Sequence, residues 1–480
     1  MAVKRDKNNN VNMIVPASSG YENLETVVLQ AHTDMVCEKN VGHPHDFSKD
    51  PIQLVYETIG GVRFVSASGT TLGADNGIGV AYALAAACGG IKHPPLELLL
   101  TTDEEEGLTG AQNLSPDFVS GRYLLNLDSE TEGTIIIGCA GGVSVSLKKS
   151  FDPYFIDEKH AQPFSFYTIQ ISGLMGGHSG TDINKPRASA NVIMAKMLET
   201  ITGKIEDPEL EFRLIDISGG SVHNAIAREA ACTFMTDLPA GIIERCVSDF
   251  QSAVPSGLSY DEPDLKITLT KNSFRETVQR YEMPEKKNQV PVFTTKNTGR
   301  IIALLGSLPH GVFAMSDKIP DLVLASGNFA VVRSEFSAND DENSGNVKGK
   351  IKITYNLRSG NEAKLKEKTK DLMDIGKKYD FHASVFSSYK PWEPNLSAPL
   401  LKMCKNAYKE TFHKEPAVSA IHAGLECGAF VRIYPGMQMV SLGPDIIDAH
   451  SPDEMLDLDS TARVWTFLKA ILEKFDVQKV

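Results

Sequence analysis

Five stretches of the chain place groups that bind metals or move protons at the ends of apolar runs. VVLQAHTD closes on His32 and Asp34, TTLGADNG carries Asp75, and LELLLTTDEEEG runs into Asp103, Glu104, Glu105 and Glu106. LLNLDSE ends at Asp128, and PDIIDAHSPDE places His450 after MQMVSLG. Neutral imidazole and ionised carboxylate are the mixed nitrogen and oxygen donors that zinc and similar divalent ions take. Two histidines and three carboxylates are too many for one tetrahedral zinc that keeps a position open. Two ions sharing one carboxylate, at the roughly 3.5 to 4 Å separation of two-metal hydrolases, fit better. Such a pair lowers the pKa of a bound water to about 7 and polarises a carbonyl. The four adjacent acids of DEEE repel one another, so something must justify their crowding.

Each residue alone also has a plain structural reading. Asp75-Asn76 suits a helix cap, because short polar side chains accept from the first free N–H groups. Asp103 to Glu106 suits the acidic first turn of a helix over GLTGAQNL. Asp128 suits a turn, and His450 an ordinary polar contact. His32 resists such a reading, because HxD at the end of an apolar strand puts two polar groups where burial demands partners.

The elements that must position these groups read as α/β. ETVVLQAHTDM, LELLLTT and YLLNLDSE are strands apolar on both faces, and NGIGVAYALAAACGG is an apolar helix closed by glycines. Together they predict a mostly parallel sheet with helices on both faces, whose strand ends converge on a ligand crevice. After Gly141-Gly142 the character changes. FSFYTIQISG, ELEFRLIDISGG and GKIKITYNLRSG alternate as strands of a sheet with one exposed face do, and RASANVIMAKMLETITG between them is an amphipathic helix. From PWEPNLSAPLL onward helix and buried strand alternate again, in LLKMCKNAYKETF and MQMVSLG. The expectation is an α/β domain over 1–145 and 392–480 interrupted by an inserted α+β domain over 146–391. Inside the insert ISGLMGGHSG and ISGGSVHNA echo one another, by old duplication or by chance.

The whole chain sets outer bounds. Its 480 residues suit two or three domains, and 42% hydrophobic with 23% charged residues is the composition of a soluble globular protein. The net charge of −13 without a dense basic stripe argues against nucleic-acid or anionic-membrane binding. Seven cysteines, an odd number with no CxxC pair, suit a reduced cytoplasmic chain. MAVKRDKNNNVNM has no apolar core for a secretory signal, and no apolar run reaches the roughly 20 residues that span a bilayer.

VVLQAHTDMV, TTLGADNGIGVAYALA, LLLTTDEEEGLTGA, LLNLDSE and IHAGLECG resemble the di-metal aminopeptidase and carboxypeptidase superfamily that includes the aminoacylases. Within it they are most similar to the bacterial Xaa-His, or cytosol non-specific, dipeptidase family, from about residue 5 to the end. The resemblance implies hydrolysis of dipeptides, broadly or with a C-terminal histidine, by a metal-bridging water. It implies that His32 and Asp128 hold one metal, Glu105 and His450 the other, and that Asp75 bridges both. Asp34 would orient His32, and Glu104 would be the general base. Zinc is the implied metal, with cobalt or manganese as substitutes.

In the insert, which would act as a lid, the resemblance implies that His178 stabilises the oxyanion and that Asn224 and Arg358 hold the peptide and its carboxylate. Without it Arg358 reads equally as a surface strand residue, and His178 as a surface histidine. Gly424 would offer a backbone contact to the substrate. A homodimer is the family's habit. Members carry a further N-terminal segment ahead of the equivalent of KRDKNNNVNMIVPASSGYEN, so the resemblance implies a catalytic domain that starts late here.

Three other readings stand beside this one. A related amidohydrolase cleaving N-acyl amino acids would use the same metal residues, and a truncated homologue would bind metal without turnover. Magnesium-dependent phosphoryl transfer lacks a GxxxxGK[ST] loop and sits poorly with imidazole ligands.

Overall fold

The structure is a computed structural model that describes residues 2–476 except 106, 206, 208, 258–261, 285 and 339–346, with the side chains of 253–257 and 338 also left aside. Glu106, the last acid of DEEE, lies outside the described residues. Two compact units are formed, one by Met1–Ala140 with Lys390–Val480, the other by Gly141–Tyr389. The sequence reading put the junctions at 145/146 and 391/392. Strand Gly141–Phe151 runs unbroken through position 145, so the chain changes unit where that strand begins. In the first unit Cys139 and Trp392 exchange backbone hydrogen bonds of 2.9 and 3.1 Å beside the two crossing points.

The first unit is built on an eight-stranded sheet. Its order is Ala2–Arg5, Val11–Val15, Leu96–Thr101, Val27–His32, Tyr123–Asn126, Gln438–Ser441, Thr134–Cys139, Ala417–Ile421. Val27–His32 runs parallel to both its neighbours, as do Gln438–Ser441 beside Tyr123–Asn126 and Ala417–Ile421 beside Thr134–Cys139. The remaining three pairings are antiparallel, so four of the seven are parallel and the sheet is mixed. The antiparallel start has a simple cause at one edge. Only the turn Asp6–Asn10 separates the first two strands, and a parallel neighbour needs a crossover of a dozen or more residues.

Successive residues of the central strands feed different cores, which is why these strands read as unbroken apolar runs. Val27 and Leu29 pack with Leu96, Leu98 and Leu125 under the helices Pro399–Phe412 and Leu458–Glu473. Val28 packs on the other face with Leu99, Leu124 and Phe430. Both faces are therefore buried.

A second, four-stranded sheet orders Ile446–Ile447, Met455–Asp457, Val62–Ala67 and Leu54–Ile59. Its antiparallel pairing sets Leu456 opposite Val65. The loop carrying His450 is thereby fixed beside the chain that leads to Asp75.

The second unit is an antiparallel sheet of nine strands, with Ser165–Ser172, Phe212–Gly219 and Val347–Ser359 among them. Helices Ala190–Thr202 and Thr295–Ser307 pack on it over one core. The two echoing glycine-rich segments meet in this unit. Gly177 and His178 pair with Ile226 and Ala225 in a short antiparallel ladder.

Leu29 is fully buried between strands and helices. Leu29→Ala is expected to cost about 2 to 5 kcal/mol of the first unit's stability. Both tryptophans, Trp392 and Trp465, lie in that unit, so fluorescence during urea unfolding measures it, and an unchanged midpoint would contradict the packing described.

Candidate active site

Strand Val27–His32 delivers a buried imidazole at its last residue. Nε2 of His32 lies 2.9 Å from Asp75 Oδ1 and 3.3 Å from Asp128 Oδ1. On the other side of the ring, Nδ1 lies 3.0 Å from the Asp34 carbonyl oxygen and 3.5 Å from Asp34 Oδ1. A ring nitrogen held this way fixes the tautomer that leaves Nε2 free to ligate. Asp34 lies beyond the end of the strand, and its other oxygen, Oδ2, accepts from the Glu105 N–H at 3.1 Å.

Asp75 divides its two oxygens. Oδ1 faces His32, and Oδ2 lies 2.9 Å from His450 Nε2. His450 Nε2 is also 3.2 Å from Glu105 Oε1, without the alignment of a hydrogen bond. Asn76 donates from Nδ2 to Asp128 Oδ1. Helix Ala74–Cys88 reaches this position because residue 79 is glycine: a Cβ there would stand 2.6 Å from the Leu127 carbonyl oxygen.

The structural readings of Asp75 and of the acid run do not hold. Asp75 has the extended torsions of a cap, φ −81° and ψ 102°, but its two oxygens face His32 and His450 instead of helix N–H groups. The run after LELLLTT is a bend, with Asp103 at φ +54°, and only Thr109–Gln112 is helical. That bend turns Glu104 and Glu105 toward His32, so His32, Glu104 and Glu105 offer ligand atoms within 4.8 Å of one another. The same holds for His32, Asp75 and Asp128, and for Asp75, Glu105 and His450.

The charges explain the protonation of the cluster. Burial alone would lower the His32 pKa, but the Asp128 charge and the close carboxylates of Asp34 and Asp75 hold it far above its usual range. The hydrogen bond to Asp75 and the close carboxylate of Glu105 push His450 up to about 11. Burial, then the charge of Asp128, raises Glu104 well above the ordinary 4.5 of a glutamate. A divalent cation suits this set. It would replace the protons that hold two imidazoles among carboxylates, and Glu105 Oε1 and Asp34 Oδ1 are buried without a hydrogen bond.

In the second unit, Arg358 ends strand Val347–Ser359 and is 6% exposed. Its guanidinium donates to Tyr389 Oη at 2.9 Å and to Ser179 Oγ at 3.4 Å, and Nη2 lies 3.4 Å from His178 Nε2. None of these three partners carries a negative charge. The Asn224 carbonyl accepts from the Ser179 N–H at 2.8 Å, which brings Asn224 beside the same group. Tyr389 fits because position 142 is glycine, where a Cβ would stand 2.6 Å from the phenol ring. Gly424 belongs to the first unit, in the turn before helix Glu426–Ile433.

Several residues of these clusters escaped the sequence reading. Ser179 and Tyr389 carry no motif beyond proximity in the fold. Glu130 is pushed up to about 7 by burial and by the Asp75 charge. Glu426 is raised to about 7 by burial, and accepts from Thr101 Oγ1 at 2.7 Å and from the Gln30 amide. The one signal for Glu426 was a charge placed among apolar residues in GLECGAFV.

Residues 28–474 match the description of peptidase family M20/M25/M40. The chain belongs to this family. Its members here include the cytosol non-specific dipeptidase of Escherichia coli, 36% identical over 477 residues, which span 98% of this chain and 90% of that protein. The crystal structure of an aminoacylhistidine dipeptidase from Vibrio alginolyticus superposes with a TM-score of 0.75 at 35% identity, covering 98% of this chain and 89% of that one. A tripeptidase from Staphylococcus aureus shares the fold at 14% identity and a TM-score of 0.50, over 100% of this chain and 89% of that one. This M20/M25/M40 member is therefore a hydrolase of peptide bonds, and its family is one that depends on two metal ions.

Glu104 sets an expectation for the metal-free protein. Its folded pKa lies above its unfolded value, so its favourable contribution is complete below about 4.5 and is lost as pH rises through the raised value. Glu104→Gln should therefore raise the melting temperature at pH 7 and leave it nearly unchanged at pH 4. Equal shifts at both pH values would contradict a buried, penalised carboxylate.

Proposed function

We propose that this chain is a di-metal dipeptidase of broad specificity that accepts Xaa-His dipeptides. The observation that carries the reading is the division of Asp75, one oxygen at 2.9 Å from each of two imidazoles. In this reading His32 and Asp128 complete one metal site, Glu105 and His450 complete the other, and Asp75 belongs to both. Zinc is the expected ion, with cobalt or manganese as substitutes. Bound there, two such ions lower the pKa of a water and polarise the scissile carbonyl.

The chain's own residues do the rest. Glu104, buried and raised in pKa, takes the proton of the attacking water and returns it to the amine nitrogen as the C–N bond breaks. Asp34 orients His32 through Nδ1 and holds the Glu105 backbone. Arg358, a buried cation hydrogen-bonded to no carboxylate among the described residues, receives the free carboxylate of a dipeptide, for which a guanidinium fork is shaped. His178 donates to the developing oxyanion, and Asn224 and Gly424 hold the peptide. The choice of dipeptides rests on the Escherichia coli and Vibrio relatives, each covered over most of its length. By the name of its Escherichia coli relative this reading puts the protein in the cytoplasm, and it expects a homodimer with neither nucleic acid nor membrane as a partner. No helix among the described residues is long and apolar enough to cross a membrane.

Purified protein loaded with zinc, cobalt or manganese is expected to cleave Xaa-His and other dipeptides faster than N-acetyl amino acids. Activity should vanish on exhaustive chelation and return with metal; full activity after chelation would sink the reading. Glu104→Gln should lower kcat by about 100- to 10,000-fold with metal content unchanged. Arg358→Ala should raise KM for dipeptides roughly 10- to 100-fold, the worth of a charged hydrogen bond of about 1.5 to 3 kcal/mol. An unchanged KM would remove Arg358 from the substrate.

A further inference from the structure

Glu454 lies four residues beyond His450, just before strand Met455–Asp457, and is 2% exposed. Its carboxylate reaches the backbone at the start of the helix that carries Asp75. Oε2 accepts from the N–H groups of Leu72 at 2.7 Å and Gly73 at 2.9 Å. Oε1 accepts from Ala74 at 2.8 Å and Asp75 at 3.2 Å. An ionised carboxylate has about four acceptor sites, and four backbone donors occupy them here.

The start of this helix needs such a partner. The first N–H groups of any helix have no partner within it, and the cap residue Gly73 has no side chain to offer. A negative charge is also favoured at a helix N-terminus by the aligned peptide dipoles. Those reasons account for stability, and the placement adds more. The last of the four donors is Asp75 itself, and the loop that supplies the carboxylate is the one that supplies His450.

We infer that Glu454 is a positioning residue for the metal centre, holding the Asp75 backbone and the His450 loop at the separation that lets one carboxylate serve both sites. The inference rests on the reading of Asp75 and His450 as ligands. An amide at position 454 keeps one acceptor oxygen and turns an NH2 group toward backbone donors. The helix start and the loop are then free to move apart. Supporting groups of this kind change metal affinity by about 10- to 100-fold.

Glu97 provides the comparison. It is likewise 2% exposed and accepts from the Ser120 N–H at 3.0 and 3.1 Å and from Asn12 Nδ2 at 3.3 Å, with no hydrogen bond to the Asp75 or His450 segments among the described residues. Metal-free wild type, Glu454→Gln and Glu97→Gln are titrated with zinc against a chromophoric chelator, and melting temperatures are recorded without metal. Glu454→Gln is expected to bind zinc about 10- to 100-fold more weakly, and Glu97→Gln to melt lower with its zinc affinity intact. Unchanged affinity in Glu454→Gln, or equal weakening in both variants, overturns the inference. Amide exchange on metal-free wild type gives a second reading that does not depend on a variant folding. The amides of Leu72, Gly73, Ala74 and Asp75 are expected to be protected, and free exchange there overturns the inference. Failure of wild type itself to bind zinc would instead remove the ligand reading on which the inference stands.

Discussion

Mutual repulsion among buried carboxylates is the constraint around which the first unit is arranged. Asp75 at a helix start and Glu104, Glu105 and Asp128 beyond the ends of strands come together about His32 and His450, next to strands buried on both faces. Buried charges are costly unless paired. Here two imidazoles stand among them, each drawn far toward its protonated form by the acids around it. That arrangement is poised for cations: what holds a proton on His32 and His450 in their absence is what would hold a metal in their presence.

The acid run DEEE shows how the backbone distributes roles within such crowding. A left-handed Asp103 turns the chain at the end of its strand, so that Glu104 and Glu105 face the cluster together. The Glu105 N–H is tied to Asp34, which also orients His32. Glu105 is thereby turned toward His450, whereas Glu104 stays buried near Asp128 with its pKa raised. Two adjacent residues of one type meet different surroundings, since Glu105 groups with the second imidazole and Glu104 with the first.

Much of this was legible in the sequence, and for physical reasons. Strands buried on both faces leave unbroken apolar runs, so the polar residues that end them stand out, as in VVLQAHTD and LLNLDSE. The antiparallel edge Ala2–Val15 was not legible as part of that sheet, because VKRDKNNNVNMIV is neither strongly apolar nor long. A helix over GLTGAQNL was expected from its acidic lead, yet the left-handed Leu108 leaves only Thr109–Gln112 helical. Glu454 was hidden in PDIIDAHSPDE because its partners are backbone groups 379 to 382 residues away, which leave no pattern in side-chain order. Ser179 and Tyr389 were hidden for the related reason that Arg358 gathers them from separate strands and turns.

The central claim is that one carboxylate serves two cations, and the metal content of Asp75→Ala tests it most directly. Wild type loaded with zinc and passed over a desalting column should retain two equivalents. With Asp75 as the shared group, the variant is expected to lose both sites, retaining well below one equivalent while His32, Glu105, Asp128 and His450 all remain. Retention of one full equivalent would mean that Asp75 belongs to a single site, and retention of two would mean that it binds neither.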